Sequence, residues 1–551
     1  MMKNLIKINI GLLITFALFG CQNWFDIENK NTIEEREFWQ NEQEAFMGLM
    51  ASYSGLQNHG SMGGNSAAQM PTRSDIGRPS IWNDQYVELS KLLINDNTGI
   101  VKLKWADLYT TILRANQVLD RVPDIIEISD ESRELFLAEA HFIRGICYYW
   151  LYSTYNHGSV ILHTTVAQNK EEIAKPLSPK EEVLELIISD LTYAQERLPE
   201  TWEDKYKGRA TWGAATAFLG QVYINEHEYV KAQNEFKMII DREDLYQLTS
   251  DISWNFDKEH EFNSESIFEV SFSDTQKPNG GGVIVDGPTG TEGTRRGVFL
   301  APSGANGNRL SMPSYWITML FQKDEMDPTD PRNDGLTHSL RSQYSIVMAD
   351  DDFDYYQKEP RDVHGTFKNQ ESSYLRKFQN WWDEYEALGT KTVSGINERV
   401  IRLADVYLLY AECLIKNNGS AGTFEAVHYI NRIRTRSAVM PLDHNEYNTA
   451  EKLMDHIMYV ERPLELMFEG HDTRWIDMRR WGVIKEQYDR LAKKKYYMNK
   501  QILYELPEDA TEGPNGEAVI QEFQDASASY TPDYHNYFPI PIDEVLSNPN
   551  L

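Results

Sequence analysis

Two stretches of the sequence set tryptophan beside amide and carboxylate side chains. One contains Trp82, Asn83 and Tyr86, and the other contains Trp381 and Trp382. A sugar ring has an apolar CH face and a rim of hydroxyl groups, so an aromatic platform with polar groups at its edge is suited to bind it. The alternative for each tryptophan is that it anchors its loop to the rest of the protein. The pattern predicts a carbohydrate-binding surface at one or both stretches.

Other candidate ligand contacts lie near these stretches. Arg73 and Asp75 precede the first stretch within residues 58–84, which are rich in glycine, serine and proline and are expected to form a long loop. Long loops inside compact domains are usually functional. Trp316 and Tyr344 border a second loop-rich region and are further candidates.

Three carboxylates near the C-terminus recur at helical spacing. Glu461, Glu465 and Glu469 are four residues apart and therefore share one face of a helix. Such carboxylates can act as general acid and base. Nearby arginines favour a different interpretation, in which ion pairs join the last helices. These arginines are Arg462, Arg474, Arg479 and Arg480.

A second set of charges lies within an otherwise apolar helical pattern. Arg402, Asp405 and Glu412 share one stripe of that helix. We expect them to form a partly buried charge network that Arg434 or Arg436 joins.

The sequence carries no pattern typical of an enzyme, a metal site or a phosphate-binding loop. Asp350, Asp352 and Asp354 alternate as in a calcium loop, but Tyr355 stands where glycine is needed and Arg361 where the closing glutamate belongs. HExxH, GxxxxGK[ST], GxGxxG and GxSxG patterns are absent. We therefore expect no catalytic residue, no metal and no cofactor.

The N-terminus has the pattern of an exported lipoprotein. A basic start precedes an apolar run at residues 8–19, shorter than the roughly 20 residues that a membrane-spanning helix needs. Leu18-Phe19-Gly20-Cys21 resembles the bacterial lipobox, whose cysteine becomes the acylated first residue. The alternative is an ordinary signal peptide with a cysteine nearby by chance. We expect residues 1–20 to be a signal peptide, Cys21 to carry lipid and residues 21–35 to form a polar tether.

The composition argues against nucleic acid as a partner and supports a large core. A formal charge of −30 repels phosphate backbones, and 41% hydrophobic with 12% aromatic residues suffices for substantial burial. Cys147 and Cys413 lie in apolar helical patterns and are expected to be buried free thiols. No later segment is long and apolar enough to cross a membrane.

Helical periodicity recurs along the chain. Apolar residues follow steps of three and four at 105–119, and residues 134–155 are apolar nearly all round, which indicates a helix packed on both sides. Residues 219–236 match part of the tetratricopeptide pattern. Another helical hairpin is expected at 400–436.

Loop-rich sequence interrupts this helical pattern. Residues 271 to about 370 combine many glycines with turn-forming Asp-Pro and Asn-Asp pairs. We predict a predominantly α protein whose tetratricopeptide-like hairpins form a scaffold, without a regular solenoid, that carries long loop-rich insertions. The predicted regions are an N-terminal helical region at 36–270 and a loop-rich C-terminal region with closing helices at 271–551.

Seven stretches, in order behind the lipobox, resemble the SusD/RagB family of bacterial outer-membrane lipoproteins. They are Trp105–Asn116, Ala138–Gly158, Gly208–Ala215, Ile401–Glu412, Asn431–Arg436, Glu461–Gly482 and Pro539–Leu551. One departure is Pro463, where the family tends to have a basic residue compatible with a helix. Since proline is tolerated in a first turn, we expect a helix to begin near Arg462.

The resemblance implies where the protein acts and with which partner. It implies a lipid-anchored, surface-exposed protein of the outer membrane that captures nutrients, mostly glycans, for a SusC-like TonB-dependent transporter. The ligand loops of the family fall in the part of the chain that contains Trp82. The sequence leaves three other functions open: peptide capture as a RagB-type lipoprotein, a non-catalytic envelope scaffold, and an enzyme, for which no motif is present.

Overall fold

A computed structural model of the protein describes residues 38–80, 83–275, 292–360, 371–382 and 393–551. The predicted signal peptide, Cys21 and the tether lie outside these residues, as does Trp82. Helices dominate the described residues, and the strands found there form two-stranded antiparallel pairs.

The elements are numbered in chain order. The α-helices are α1 (Glu42–Leu56), α2 (Gly64–Gln69), α3 (Asp84–Ser90), α4 (Gly99–Arg121), α5 (Asp130–Thr154), α6 (Lys170–Ile173), α7 (Lys180–Arg197), α8 (Trp212–Asn225), α9 (Tyr229–Ile240), α10 (Arg296–Leu300), α11 (Tyr315–Gln322), α12 (Leu340–Ser345), α13 (Leu403–Asn418), α14 (Thr423–Arg436), α15 (Ala450–His456), α16 (Arg462–Glu465), α17 (Thr473–Trp481), α18 (Ile484–Lys493), α19 (Gln524–Ser529), α20 (Pro532–His535) and α21 (Ile542–Ser547). The strands are β1 (Gly77–Pro79), β2 (Ser266–Val270), β3 (Ser311–Pro313), β4 (Ile346–Met348), β5 (Ser373–Leu375), β6 (Glu398–Arg402), β7 (Lys495–Asn499) and β8 (Ile502–Leu506). Short 3₁₀ turns occupy Met70–Arg73, Val122–Asp124, Asn156–Gly158, Asp204–Tyr206, Ile252–Asn255, Ser303–Ala305, Pro331–Asn333 and Gly419–Gly422.

A set of helices forms an array in which each member packs against the next. In order, the members are α1, α4, α5, α7, α8, α9, α13 and α14. The predicted predominantly α scaffold of tetratricopeptide-like hairpins is confirmed. The array is more continuous than predicted, because α9 packs directly on α13 although the loop-rich insertion lies between them in sequence.

Small residues let α8 and α9 approach closely. Ala214, Ala217 and Gly220 are buried in α8, and a Cβ atom on Gly220 would collide with the ring of Phe236 in α9. Gly220 is therefore required by close packing of the two helices, since protein interiors leave no room for an added methyl group.

The strands β2 and β6 close the insertion at its base. They pair antiparallel, from Ser266 opposite Arg402 to Val270 opposite Glu398. The chain thus leaves the array after β2 and re-enters it at α13 from the same place. Within the excursion, β3 pairs with β1 from the early loop, and β4 pairs with β5. The loop-rich insertion therefore extends beyond the predicted end near residue 370, as far as residue 397.

A buried ion-pair network joins the insertion, the array and the closing helices. Arg402 contacts Glu265 and Glu469 at 2.6 Å and Glu465 at 2.7 Å, and all four side chains are almost fully buried. Burial raises the pKa of Glu465, but the charges of Arg436, Arg402 and Arg341 lower that pKa to about 2. The other pairs are Arg436 with Glu265 and Glu465, Arg341 with Asp324 and Glu461, Arg434 with Glu461, and Lys377 with Glu469. Glu461, Glu465 and Glu469 are thus ion-paired, as predicted, but none of their partners is one of the predicted arginines at 462, 474, 479 and 480. Glu469 also lies beyond the end of α16, so the three carboxylates do not share one helical face.

The second predicted charge network is present only in part, because Arg402 ends β6 and belongs to the first network, while Asp405 and Glu412 have other arginine partners. Arg462 contacts Asp405 and Asp477, both at 2.7 Å, and Arg480 contacts Asp477 and Glu412. Arg434 and Arg436 belong instead to the network around Glu461 and Glu465. The carboxylates on these helices thus have buried arginine partners.

Pro463 lies inside a continuous helix rather than at a fresh start. The helix begins at Ala450 and passes through a π-helical turn, Ile457–Glu461, before α16. Proline lacks an N–H and its ring clashes with the carbonyl four residues earlier. A π turn changes the hydrogen-bond register immediately before the proline and so accommodates it.

Both described cysteines are buried free thiols, as predicted. Burial raises the pKa of Cys147 and of Cys413. Among the helices that the structure describes, none combines the length and apolarity of a membrane span.

Candidate functional site

The tryptophan pair (Trp381 and Trp382) lies at the surface of the loop-rich insertion. Both indoles are partly exposed, and their ring centroids are 5.6 Å apart with an interplanar angle of 80°. The Arg376 guanidinium lies between two rings, 3.9 Å from the Trp381 centroid and 3.8 Å from that of Phe353. Burial lowers the pKa of Arg376 to about 10. The pair therefore forms a corner of two crossed aromatic faces, with Arg376 backing one of them.

A strained turn holds the tryptophan pair in place. Tyr356 and Gln357 have φ values of 53° and 54°, and Tyr355 bridges to Lys358 across them. The Tyr356 N–H donates to the carbonyl of Trp381 over 2.6 Å, and the Gln357 side-chain amide donates to the carbonyl of Trp382 over 3.1 Å. Left-handed backbone costs roughly 1–2 kcal/mol for each residue other than glycine. Such strain tends to persist at functional sites, where it keeps a surface organised before the ligand arrives.

Residues 302–310 form a loop between the tryptophan pair and the early loop. Ala305 belongs to the buried cluster against which Trp381 packs, and the carbonyl of Leu310 accepts a 3.1 Å hydrogen bond from Ser80 N–H. Asn306 is exposed with φ of 59°, and Asn308 is partly exposed. Their amides are of the type that binds sugar hydroxyls. Sequence reasoning missed these two residues, although the Asn-Gly-Asn run is a recognisable turn signal.

The end of the early loop is at the surface. Asn83 is partly exposed just before α3, and its carbonyl accepts from the N–H groups of Tyr86 and Val87. Asp84 and Gln85 follow it and are exposed. The Asn83 side chain is therefore placed where a ligand can reach it.

Arg73 and Asp75 lie beneath the surface and fasten the early loop to the C-terminal helices. The Arg73 guanidinium is 4.0 Å from the ring centroid of Trp475 and 4.2 Å from that of Phe538. Burial lowers the pKa of Arg73 to about 10. Asp75 accepts two hydrogen bonds from Arg474, at 2.8 and 2.7 Å, and is fully buried. Both side chains are held by protein groups instead of facing solvent.

Tyr86 and Trp316 are also interior. They belong to one buried cluster, with exposures of 2% and 7%. The structure thus leaves Trp381, Trp382 and Asn83 partly exposed. Tyr344 is also partly exposed and packs, as Trp382 does, against the buried cluster that contains Ile252. The other described candidates are buried, so the candidate site is narrower than the predicted one.

Among the aspartates at 350–354, Asp350 and Asp351 are engaged with nearby protein groups, while Asp352 and Asp354 are exposed. Asp350 is 3.4 Å from His338, and Asp351 accepts from the N–H of Met348 over 2.7 Å. Burial raises the pKa of Asp351 to about 7. Within the described part of the chain, no group of three or more histidine, cysteine, aspartate or glutamate side chains is arranged to hold a metal ion.

The chain is thus a helical scaffold that carries loops with an aromatic corner at their surface. Residues 264–551 match the model of the SusD family, and residues 24–224 match a family described as starch-binding and associating with the outer membrane. Because the first match alone spans more than half of the chain, the protein belongs to the SusD family.

Individual relatives agree over nearly the whole length. A SusD-like protein of Formosa agariphila is 25% identical over 566 aligned residues, covering 99% of this chain and 97% of the relative. The crystal structure of a SusD superfamily protein from Bacteroides vulgatus has a TM-score of 0.72 at 23% identity, covering 93% and 98% of the two chains. A laminarin-binding SusD-like protein has a TM-score of 0.66 at 22% identity, covering 93% and 100%. The structural similarities establish the fold.

Proposed function

We propose that the protein is a surface-exposed outer-membrane lipoprotein that binds oligosaccharide or polysaccharide and delivers it to a SusC-like TonB-dependent transporter. The observation that carries the proposal is the fixed, partly exposed tryptophan pair. Two crossed indoles offer a corner against which the apolar face of a sugar can pack. Membership of the SusD family and the laminarin-binding relative support the same ligand class.

The proposed site combines the tryptophan pair with amides on neighbouring loops. Asn306, Asn308 and Asn83 would supply hydrogen bonds to sugar hydroxyls, and Trp82 remains a predicted member. Aromatic surface with a few polar groups fixes both affinity and orientation in small-molecule sites. We assign the site a binding role without catalysis.

Delivery requires a second protein. A protein held by acyl chains on one face of a membrane cannot carry its ligand across, so a channel must receive the ligand. We propose that the helical region at 36–270 and the loop-rich region at 271–551 act together in this task, with the loops contacting the glycan.

We predict that Trp381→Ala and Trp382→Ala each weaken glycan binding by roughly tenfold to a hundredfold. Stacking of a flat ligand on an aromatic ring is worth about 1–3 kcal/mol in nucleic-acid complexes, and each 1.4 kcal/mol is a factor of ten. A panel of neutral and charged oligosaccharides identifies a ligand, and isothermal titration calorimetry measures its affinity for each variant.

Trp202→Ala is the matched control for these variants. Trp202 is also partly exposed and also has a guanidinium, that of Arg209, 3.9 Å from its ring, but it lies beside the helical array. Its loss should leave affinity unchanged. Unchanged affinity in Trp381→Ala and Trp382→Ala, with a fall in melting temperature, would show that these rings only anchor a loop.

We predict that Cys21→Ala removes the protein from the outer membrane. Acyl chains gain about 0.8 kcal/mol for each buried CH₂ group, so the anchor depends on the acylated residue. Membrane fractionation and mass spectrometry of the parent and the variant measure the effect. A variant that stays in the membrane fraction and still carries lipid would refute the predicted anchor.

A further inference from the structure

A groove of about 680 Å³ opens between α14 and residues 243–250. Sites for small ligands commonly enclose about 300–1,000 Å³, so the groove has room for one or two sugar units. Arg332, at the edge of the loop-rich insertion, completes its wall. The groove therefore lies where the end of the helical array meets the insertion.

One face of α14 lines this groove with polar side chains. His428, Asn431, Arg432 and Thr435 follow the i, i+3, i+4, i+7 spacing of a single helical face. Asn431 is occupied, because its side chain bonds both the N–H and the carbonyl of Leu442. His428 is exposed, and Arg432 is partly exposed.

Arginine is the commonest charged residue in the lining of the groove. Three arginines and one carboxylate, Glu243, line it, in a chain of formal charge −30. Two of the arginines are committed elsewhere. Arg436 is buried against Glu265 and Glu465, and Arg332 binds Asp330 and the carbonyls that end α14.

Arg432 is the arginine best placed to bind a ligand. It donates one hydrogen bond, over 3.2 Å, to Glu243, whose side chain is 66% exposed. Its guanidinium also lies 4.9 Å from the ring centroid of Tyr407, which holds it in position. Because an exposed ion pair adds little stability, a ligand anion can replace Glu243 at small cost.

The groove adjoins the tryptophan pair through a short stretch of chain. Thr249 and Ser250 line the groove, while Ile252 belongs to the buried cluster against which Trp382 packs. Asp251 is the single residue between Ser250 and Ile252, so the groove and that cluster are two residues apart along the chain. A bound chain that stacks on the tryptophan pair can therefore continue past Ser250 into the groove.

We propose that this groove binds an anionic sugar unit, bearing a carboxylate or a sulfate ester, of a glycan whose neighbouring units stack on the tryptophan pair. Arginine suits this task because its fork of N–H groups matches the oxygens of either anion. The inference rests on the proposed function for its ligand class and adds the charge that the ligand must carry.

The test compares ligands that differ only in charge. The affinity for oligogalacturonate is compared with that for its methyl ester, and the affinity for a sulfated galactan oligosaccharide with that for its desulfated form. Each ligand is titrated into the parent and into Arg432→Ala. We expect the parent to prefer one charged ligand over its neutral form. In Arg432→Ala, the loss of a charge-assisted hydrogen bond should lower the affinity for that charged ligand by about tenfold or more. The affinity for the neutral form should not change. Raising the salt concentration should reduce the preference, since salt screens exposed charges.

Two further variants separate a ligand contact from a structural effect. Arg432→Lys keeps the charge and should restore part of the lost affinity. Arg242→Ala removes another surface arginine, paired with Glu200 and Asp244 outside the groove, and should change nothing.

The outcomes distinguish the two proposals. If neutral and charged forms bind equally, or if Arg432→Ala behaves like Arg242→Ala while Trp382→Ala still loses binding, the groove proposal is wrong and the glycan site stands. If the parent binds no glycan, the proposed function is wrong and the groove proposal with it. The anion is a carboxylate if oligogalacturonate binds more tightly than its methyl ester, and a sulfate ester if the sulfated galactan binds more tightly than its desulfated form.

Discussion

Replacing Arg402 with methionine is expected to lower the free energy of unfolding by about 3–5 kcal/mol, the range for removing one partner of a buried ion pair. Arg402 contacts Glu265, Glu465 and Glu469 and is 1% exposed. Methionine replaces the aliphatic stem of arginine but leaves three buried carboxylates short of positive charge. Thermal and urea unfolding of the purified protein without its lipid anchor measure the change.

The same variant should unfold at higher pH when acid is added. The pKa of Glu465 is about 2 in the folded protein, against an ordinary value of 4.5. A lowered carboxyl pKa stabilises the fold above about pH 4.5, and that contribution is lost as the pH falls towards 2. Without Arg402 the pKa of Glu465 is lowered less, so the loss begins earlier in an acid titration.

Arg242→Met provides the control for this experiment. Arg242 also binds two carboxylates, but it does so at the surface, where ion pairs contribute little. We claim that burial makes the ion pairs of Arg402 more stabilising than those of Arg242. If the melting temperature falls equally in both variants, or in neither, that claim is wrong.

Replacing Asp75 with alanine is expected to destabilise the protein by a similar amount, about 3–5 kcal/mol, because the charge of Arg474 would be left buried without its carboxylate. Gln487 would also lose its 2.7 Å hydrogen bond to Asp75. Differential scanning calorimetry records the loss, and glycan titration of the folded variant records whether affinity changes.

Asp84→Ala is the comparison, since Asp84 follows the same loop as the first residue of α3 and is exposed. It should leave the melting temperature unchanged. If instead Asp75→Ala keeps its melting temperature and loses glycan affinity, Asp75 contacts the ligand directly. The exclusion of Asp75 from the binding site because of its burial would then be wrong.

Local patterns in the sequence were enough to predict much of the scaffold. The apolar periodicity of α4 and α5 and the close approach at Gly220 depend on neighbours within a few residues or within one hairpin. The spacing of Glu461, Glu465 and Glu469 predicted ion pairs correctly but not their partners, which come from residues distant in the sequence. Residues that interact along a helix leave a regular signature in the sequence.

The partners of the early loop left no such signature. Asp75 and Arg474 are 399 positions apart, so nothing in residues 58–84 distinguishes a buried anchor from a ligand contact. The turn that holds the tryptophan pair was equally hidden. Tyr356 and Gln357 adopt positive φ without glycine, and only the surrounding packing requires it.

The pairing of β2 with β6 has a consequence for how the ligand-binding loops can change. Once the two strands fix both ends of the excursion, its entropic cost depends on the logarithm of its length, and doubling that length adds only about 0.6 kcal/mol. Insertions and deletions between residues 271 and 397 should therefore change the free energy of unfolding of the helical array only slightly. Recognition can diversify by lengthening, shortening or exchanging these loops, while α9 and α13 keep the same contact beneath them.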